Sequence, residues 1–569
     1  MSDTVINFPR ESTMKRLANM QKAIAAASGG VAADLAYKAL VAEATTKEEV
    51  DNLFAEWWKS QYKSGSDKVE LLERWFGNVL DDNRVHGVVF PLFATSNTAI
   101  GELTDDSAGL SCTPSTSKVK GNDPFAHLPQ FWCLEVSGEK NEDGTHTIYY
   151  VEHIDDIAKV RSGEHITWVL QKNTYVKEWD ADGYRYMKMQ CRPATGYKSW
   201  PEGMNKAGRV YAYYAHPKYY AGLDAKGKPT CGTNIAPLNW KSHTQGVELW
   251  RTRGKQYSGA TGDLVRWLDR MMRLKYARKG NSGTIEGCTS YNFQPMAAVS
   301  ETGVKRIILT AANAANLYVG SAVQIGDVAG GGSGSKDRGE NNNHAKAKEA
   351  IITKIEEIKI SGTTYSAVYV DVADAFDTTV GVTMLSTDPY WSGWNDDVLG
   401  NDGSKYNYIN GKEPGLLQKV EFMNGAYLIV SDQLWEWTQD EKGNYLFDCH
   451  VCHDQSKVSG SAITADYVKQ KDLTMFFPTG TTSGLKYIED TAISEDPSIE
   501  WPLGVNAGGS GVGCKAAFFC SPVASGVRAA WCLCDLGYGD VGGVAFRGSY
   551  IMTGDKHWAG ALGSPGLAG

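Results

Sequence analysis

Two apolar runs, FWCLEVSG at 131–138 and THTIYYVEHI at 145–154, stand on either side of Glu139-Lys140-Asn141-Glu142-Asp143-Gly144. An Asp-Gly step supplies left-handed backbone at little steric cost. Between β-branched and aromatic runs it therefore commits the chain to an antiparallel hairpin. HITWVLQ at 165–171 and YRYMKMQ at 184–190 continue the pattern, so residues 84–193 are expected to form an antiparallel β-rich domain. A chain of 569 residues outgrows a single core, and several such units are expected. The 61 Gly against 18 Pro, with 17 Trp, 28 Tyr and 16 Phe, favour the tight turns and aromatic surfaces of β-rich binding proteins over a compact helical enzyme.

Residues 1–83 read as a helical segment. Leu17, Met20 and Ile24 form one stripe after a cap at Ser12 or Thr13, and Thr46-Lys47-Glu48-Glu49 is a capping box opening onto Val50, Phe54 and Trp57. Asp67 with Glu70 opens a further helix carrying Val69, Leu72, Phe76 and Val79. Amphipathicity of this kind fits either a small bundle or a module docking on a partner. Residues 194–296 are mixed α/β, with a helix near Gly262 to Ala277 whose apolar stripe is Leu264, Leu268 and Met271. Arg266, Arg270, Arg273, Lys275, Arg278 and Lys279 make it the most basic stretch, read as a solvated face or as a surface for an acidic partner.

RIILT, YVGSAVQIG, AIITKIEEIKI and YSAVYVDV, with a turn at Ser361-Gly362, suggest a small β-barrel over 297–385. Its excursion Gly326 to His344 lacks the G-x-x-x-x-G-K-[ST] of a phosphate loop and reads as a flexible exposed segment. Residues 386–569 turn to Trp, Gly and Asp with short strands, among them YLIVSDQLWEW and GNYLFDCHVCH about a polar turn at Asp440–Gly443. The fold class expected is thus multidomain α+β, mostly β.

Charge excludes one class of function. Lys plus Arg number 57 and Asp plus Glu 66, a net −9, where nucleic-acid binding wants a basic face. The start MSDTVINFPRE lacks a charged-then-apolar leader and no run of 18 apolar residues occurs, so neither export by that route nor membrane insertion is expected. Eleven Cys at irregular spacing are no disulfide framework and point to synthesis in a reducing cytoplasm. Cys449, His450, Cys452 and His453 look metal-like. Strand alternation, however, would send Cys449 and His453 to one face and His450 and Cys452 to the other, so structural roles are favoured over zinc. G-x-S-x-G and H-E-x-x-H are missing and no glycosidase carboxylate pair stands out. Trp394-Asn395-Asp396 matches a calcium-lectin tripeptide, but the companion Glu-Pro-Asn is lacking and Lys412-Glu413-Pro414 follows in the wrong order. Neither catalysis nor a cofactor is expected.

The chain ends AAWCLCDLGYGDVGGVAFRGSYIMTGDKHWAGALGSPGLAG over 529–569. Its G-x-G-x-x-G-G at Gly537–Gly543, the polar and aromatic stretch that follows, and His557-Trp558-Ala559-Gly560-Ala561-Leu562 resemble the terminus of the phage variable proteins diversified by retroelements, the major tropism determinant type. Upstream, GCTSYNF, AVSETGVKRIILTAANAANLYVGSAVQIGD, ITKIEEIKISGTTYSAVYVDVADAFDTT and GKEPGLLQKVEFMNGAYLIVSD resemble structural proteins of tailed phages, especially those of gut bacteria. Together these spans cover about half the chain, mainly 240–569. The family terminus is rich in Asn, where this one holds Gly, Ser, Tyr, Asp and His.

The resemblance implies a C-type-lectin-like fold, related to formylglycine-generating enzymes, over 386–569. It implies a virion protein made in the bacterial cytoplasm that recognises a host surface receptor, protein or glycan. Its partners would be other virion proteins and copies of itself, as a homo-oligomer such as a trimer. Rigid aromatics beside small polar residues are what adaptable paratopes use, which selects Tyr538, Asp540, Arg547, Tyr550, Asp555 and His557 as the ligand-binding face, with Trp531, Phe546 and Trp558 assigned to the core. The alternative is a purely structural virion component, a neck, baseplate or capsid fibre. An enzyme of the formylglycine-generating type would need paired reactive cysteines, onto which Cys532 and Cys534 do not map.

Overall fold

The Asp-Gly hairpin forms as its sequence requires. Cys133–Lys140 pairs antiparallel with His146–Val151, Lys140 opposite His146, and Gly144 takes φ +83° in the turn. Ile166–Lys172, buried at every residue, lies against the other edge of Cys133–Lys140, and Tyr213–Pro217 completes a four-stranded antiparallel sheet. This computed structural model describes residues 30–92, 100–200, 203, 210–235, 243–259, 261–278, 284–285, 295–315, 317–327, 344–386, 391–406, 415–422, 427–442, 445–460, 462–477 and the strands Leu485–Ile488, Leu503–Asn506, Gly513–Cys520, Cys532–Asp535 and His557–Trp558. They are mostly β, 35% strand and 20% helix, in several antiparallel sheets.

Helices Gly30–Glu43, Lys47–Gln61 and Lys68–Arg74 precede that sheet, the last running into a π turn at Trp75–Val79. The capping box is made: Thr46 accepts from Glu49 N, and the Glu49 carboxylate accepts from Thr46 N. Asp67 caps the next helix by accepting from Val69 N. Val50, Leu53, Phe54, Trp57 and Trp58 form a buried face that packs on Trp132, Leu134, Trp168 and Leu170 of the sheet. Phe54, Trp75 and Trp132 meet edge-on or tilted, with ring centroids 5.1 to 5.9 Å apart. A residue of this size contributes roughly 2–3 kcal/mol on full burial, so the cluster outweighs the helices' own propensity. One core therefore runs across residues 83/84, and the amphipathic face is covered by the chain's own sheet. The Leu17, Met20 and Ile24 stripe lies outside the described residues.

A second sheet runs Glu102–Asp105, Val85–Pro91, Tyr184–Gln190, Tyr175–Ala181 and Lys198–Ser199, antiparallel throughout. Helix Gly262–Tyr276 buries Leu264, Leu268 and Met271 as its stripe predicts. Its basic residues correct the sequence reading. Arg270 pairs with Glu178 at 2.5 Å, Arg273 with Asp269 at 2.8 Å, and Lys275 is fully buried between Asp123 and Asp402. Carboxylates from other segments balance Arg270 and Lys275 inside the protein, and Asp269 of the same helix balances Arg273. Arg278 is half-buried, and the side chains of Arg266 and Lys279 lie outside the described residues.

The expected barrel is an open sheet, in the order Arg306–Leu309, Thr363–Val370, Ala347–Ile360, Ala322–Asp327 and Thr383–Ser386. Its two outer strands are four residues each and do not pair with one another. The segment 295–298 lies in the gap: Ala297 N donates to Thr383 O, Leu385 N donates to Pro295 O and Met296 bridges Met384, while Ala298 N donates to Ile308 O of the other outer strand. Most of the Gly326 to His344 excursion lies outside the described residues.

This sheet is an excursion from a body that resumes at Trp391. Ser115 N donates to Asp402 O, Gly403 pairs with Leu416, Asn234 N donates to Ser392 O, and Ser258 bonds Ser431. The segment after residue 386 thus packs into the segment before 279. Tyr427–Gln439 then opens the last sheet, pairing with Tyr445–Val451 and Gly513–Cys520, while His557–Trp558 returns parallel to Tyr427-Leu428. Among the described residues, no helix is long and apolar enough to cross a membrane.

Candidate functional site

Of the residues selected from sequence, Tyr538, Asp540, Arg547, Tyr550 and Asp555 lie outside the described residues, as do Trp531 and Phe546. His557 sits in a strand opposite Tyr427, with Trp558 opposite Leu428. Cys532–Asp535 pairs with Gly513–Cys520, Cys532 opposite Cys520. At the metal-like cluster, His450 Nε2 lies 3.3 Å from Glu436, while Cys452 is buried with its thiol 3.3 Å from Asp454 O. Burial pushes the Cys452 thiol up to about 11, so it stays protonated at neutral pH. His453 is exposed. Among the described residues, no group of three His, Cys, Asp or Glu is arranged to hold a metal.

What the fold does assemble is a buried charge network around a tight hairpin. Gly415–Leu417 and Val420–Phe422 pair through a two-residue turn, Gln418-Lys419, in which both residues are left-handed, φ +49° and +64°. Such turns favour Asn-Gly because only short or absent side chains take that backbone cheaply. Here two long polar side chains take it, and both reach into the body. Gln418 Nε2 donates to Phe131 O at 2.9 Å. Lys419 Nζ bonds both oxygens of Glu152, at 2.5 and 2.6 Å, and lies 3.5 Å from Glu135.

Glu135 is the hub. This charged residue sits within the largely buried strand Cys133–Lys140 and is 1% exposed. It accepts from Arg161 Nε at 2.6 Å and Nη2 at 2.8 Å, and from Lys218 Nζ at 2.8 Å. Lys218 is also 2.9 Å from Asp396 Oδ1, which accepts from Tyr219 Oη at 2.6 Å. Burial opposes the charge on Glu135, but Lys218, Arg161 and Lys419 around it outweigh that and hold its carboxyl well below the usual range. Three cations thus face three carboxylates in the interior. The strands, the Arg161 turn and the segment 391–422 are tied together by bonds that lose strength if any one partner leaves.

Glu421, on the same hairpin, closes the other side. Its carboxylate accepts from Gly393 N at 2.9 Å and Asn395 N at 3.0 Å, so it cradles the turn Ser392–Asp396. Asn395 Oδ1 accepts from Lys405 N at 3.0 Å. Asn395 and Asp396 of the lectin-like tripeptide therefore hold the protein's own backbone and Lys218. Burial, with Asp396 nearby, pushes Glu421 up to about 7. What this arrangement does chemically is hold a loop-rich segment rigid.

Sequence reasoning missed these residues because they come from five separate stretches. Two signals were present: Glu135 among the apolar residues Phe131, Trp132, Cys133, Leu134 and Val136, and Gln418-Lys419 standing where a hairpin wants Asn-Gly. No protein-family model and no curated protein matches the chain.

Proposed function

We propose that the chain is a tailed-phage virion protein that binds the bacterial surface through a C-type-lectin-like region within 386–569. The observation that carries this reading is the terminal pattern, G-x-G-x-x-G-G at Gly537–Gly543 followed by His557-Trp558-Ala559-Gly560. It is supported by the strands that flank the candidate face. Cys532–Asp535 and His557–Trp558 belong to one sheet, so the residues between them are held at both ends by a scaffold that can tolerate change in the connection. Tyr538, Asp540, Arg547, Tyr550, Asp555 and His557 form the binding face in this reading. Other virion proteins and further copies of the chain, as a trimer, would supply multivalency, which raises avidity without strong single sites.

The test uses the full chain, because the last segment packs into the earlier ones. Fluorescently labelled protein is applied to a panel of candidate host cells beside a variant carrying Tyr538→Ala, Tyr550→Ala and His557→Ala. Binding by the parent and its loss in a variant of unchanged circular dichroism supports the reading. Binding that survives the three substitutions removes the face. A parent that binds no cell, with the face covered by neighbours in the assembled particle, replaces the reading with a purely structural virion role.

A further inference from the structure

Lys275 ends helix Gly262–Tyr276 with its ammonium completely buried against two carboxylates. Nζ donates to Asp123 Oδ2 at 2.8 Å and to Gln418 Oε1 at 2.7 Å, and lies against Asp402 Oδ2. Asp402 is 3% exposed. Its Oδ2 accepts from Tyr276 Oη at 3.1 Å and its Oδ1 from the backbone N–H of Gln418 at 2.7 Å. Asp123 Oδ1 accepts from Phe125 N at 3.2 Å. An amine nucleophile, a carboxyl carbon, a second carboxylate on the amine, and two donors on the carboxyl oxygens are thus gathered, with Lys275 and Asp402 buried and Asp123 half-buried.

We propose that Lys275 and Asp402 condense to an intramolecular amide, with Asp123 carrying the proton. Burial opposes the charge on Lys275, but Asp123 and Asp402 outweigh that and hold its ammonium above the ordinary lysine range. The first step therefore passes a proton from Nζ to Asp402 Oδ2. The Nζ neutralised in this way attacks Cγ of the protonated carboxyl, and the N–C bond forms. Charge that develops on Oδ1 is met by the Gln418 N–H, a donor already fixed by the left-handed turn. Asp123 takes a proton from Nζ and returns it to the departing Oδ2, which leaves as water. One amide and one water form from one amine and one carboxylic acid, Asp123 is regenerated, and no oxidant or reductant is needed.

The electrostatics favour the product. Two carboxylates and one ammonium are buried together, and condensation reduces three buried charges to one. Burial, and Asp123 beside it, raise Asp402 toward the protonated form in spite of Lys275. Positioning supplies the rest, since reactants held in contact react as though at very high concentration. The bond would join the helix before the inserted sheet to the loop after it, clamping the base of the excursion covalently.

Intact-mass spectrometry of the purified full chain tests this without any variant. The expected mass is one water below that of the sequence, and a tryptic digest yields a branched peptide joining Lys275 to Asp402, uncleaved after Lys275. Asp402-Gly403 can also lose water alone, as a succinimide within the backbone. Lys275→Arg separates the two: it restores the full mass if the amide is the product, and leaves the loss in place if a succinimide is. Asp402→Asn should still link, with loss of ammonia instead of water. Asp123→Ala should remain at full mass, and linkage at the parental rate in that variant overturns the proton-carrying part. A parent at full mass with linear peptides on both sides, or a water loss that persists in Lys275→Arg, overturns the bond.

Discussion

Replacing Lys419 by Gly sets two effects against each other whose sizes are known. The native residue sits at φ +64°, where a side chain costs about 1–2 kcal/mol and glycine almost nothing. Backbone strain alone therefore predicts a more stable protein. The same substitution removes the ammonium that bonds Glu152 at 2.5 and 2.6 Å and lies 3.5 Å from Glu135. Glu135 keeps Arg161 and Lys218, but Glu152 is left with the Glu135 N–H at 2.8 Å and His153 at 3.9 Å. Stranding a buried charge in this way costs about 3–5 kcal/mol. The ion pair wins, and Lys419→Gly is expected to lose about 1–4 kcal/mol. Urea unfolding at pH 7, followed by tryptophan fluorescence, measures it. Lys419→Met keeps the strain and loses the charge, so it should be worse still, while adding Glu152→Gln to Lys419→Gly should recover much of the loss. A Lys419→Gly protein as stable as the parent would refute the claim that the turn is held in its strained form by the buried charge.

Glu421 gives the protein a pH signature. Its folded pKa, about 7, lies above the ordinary 4.5, so folding is helped by protonation: the contribution is complete below pH 4.5 and is lost as pH rises through 7. The swing is about 3 kcal/mol, and the difference in urea midpoint between parent and Glu421→Gln should change sign-consistently across that window. Parallel curves would remove Glu421 as the cause. Trp57→Ala empties a fully buried position in the helix–sheet core and takes one donor from Asp34, at an expected cost of about 3–5 kcal/mol. Amide exchange should then accelerate in Ile166–Lys172 as well as in the helices, because they share that core. Acceleration confined to the helices would mean that the two fold separately.

Local rules were legible in the chain and were obeyed. The Asp143-Gly144 turn, the Thr46–Glu49 capping box, the Val50, Phe54 and Trp57 face and the Asp440–Gly443 hairpin all follow from interactions within a few residues, which sequence spacing specifies directly. The basic helix shows where that reasoning stops. Arg270 and Lys275 are surface residues by composition and interior residues in the fold, because Glu178, Asp123 and Asp402 reach them from 92, 152 and 127 positions away. The barrel reading failed for a related reason. The four named stretches are strands, but the edge strand Thr383–Ser386 was not among them, and closure depends on whether two four-residue edges meet, which is a property of sheet curvature rather than of any strand.

By itself, then, the amino-acid sequence determined which stretches are helix, strand and turn, and the terminal pattern on which the functional reading rests. Only the tertiary structure decided that the helices share a core with the first sheet, that residues 306–386 leave and rejoin one body, and that Glu135, Lys218, Asp396 and Lys419 meet. Burial has no local signature for a charged residue. Whether an ammonium faces water or a carboxylate is settled by the segment that arrives beside it, and in this protein those segments lie tens to hundreds of residues apart.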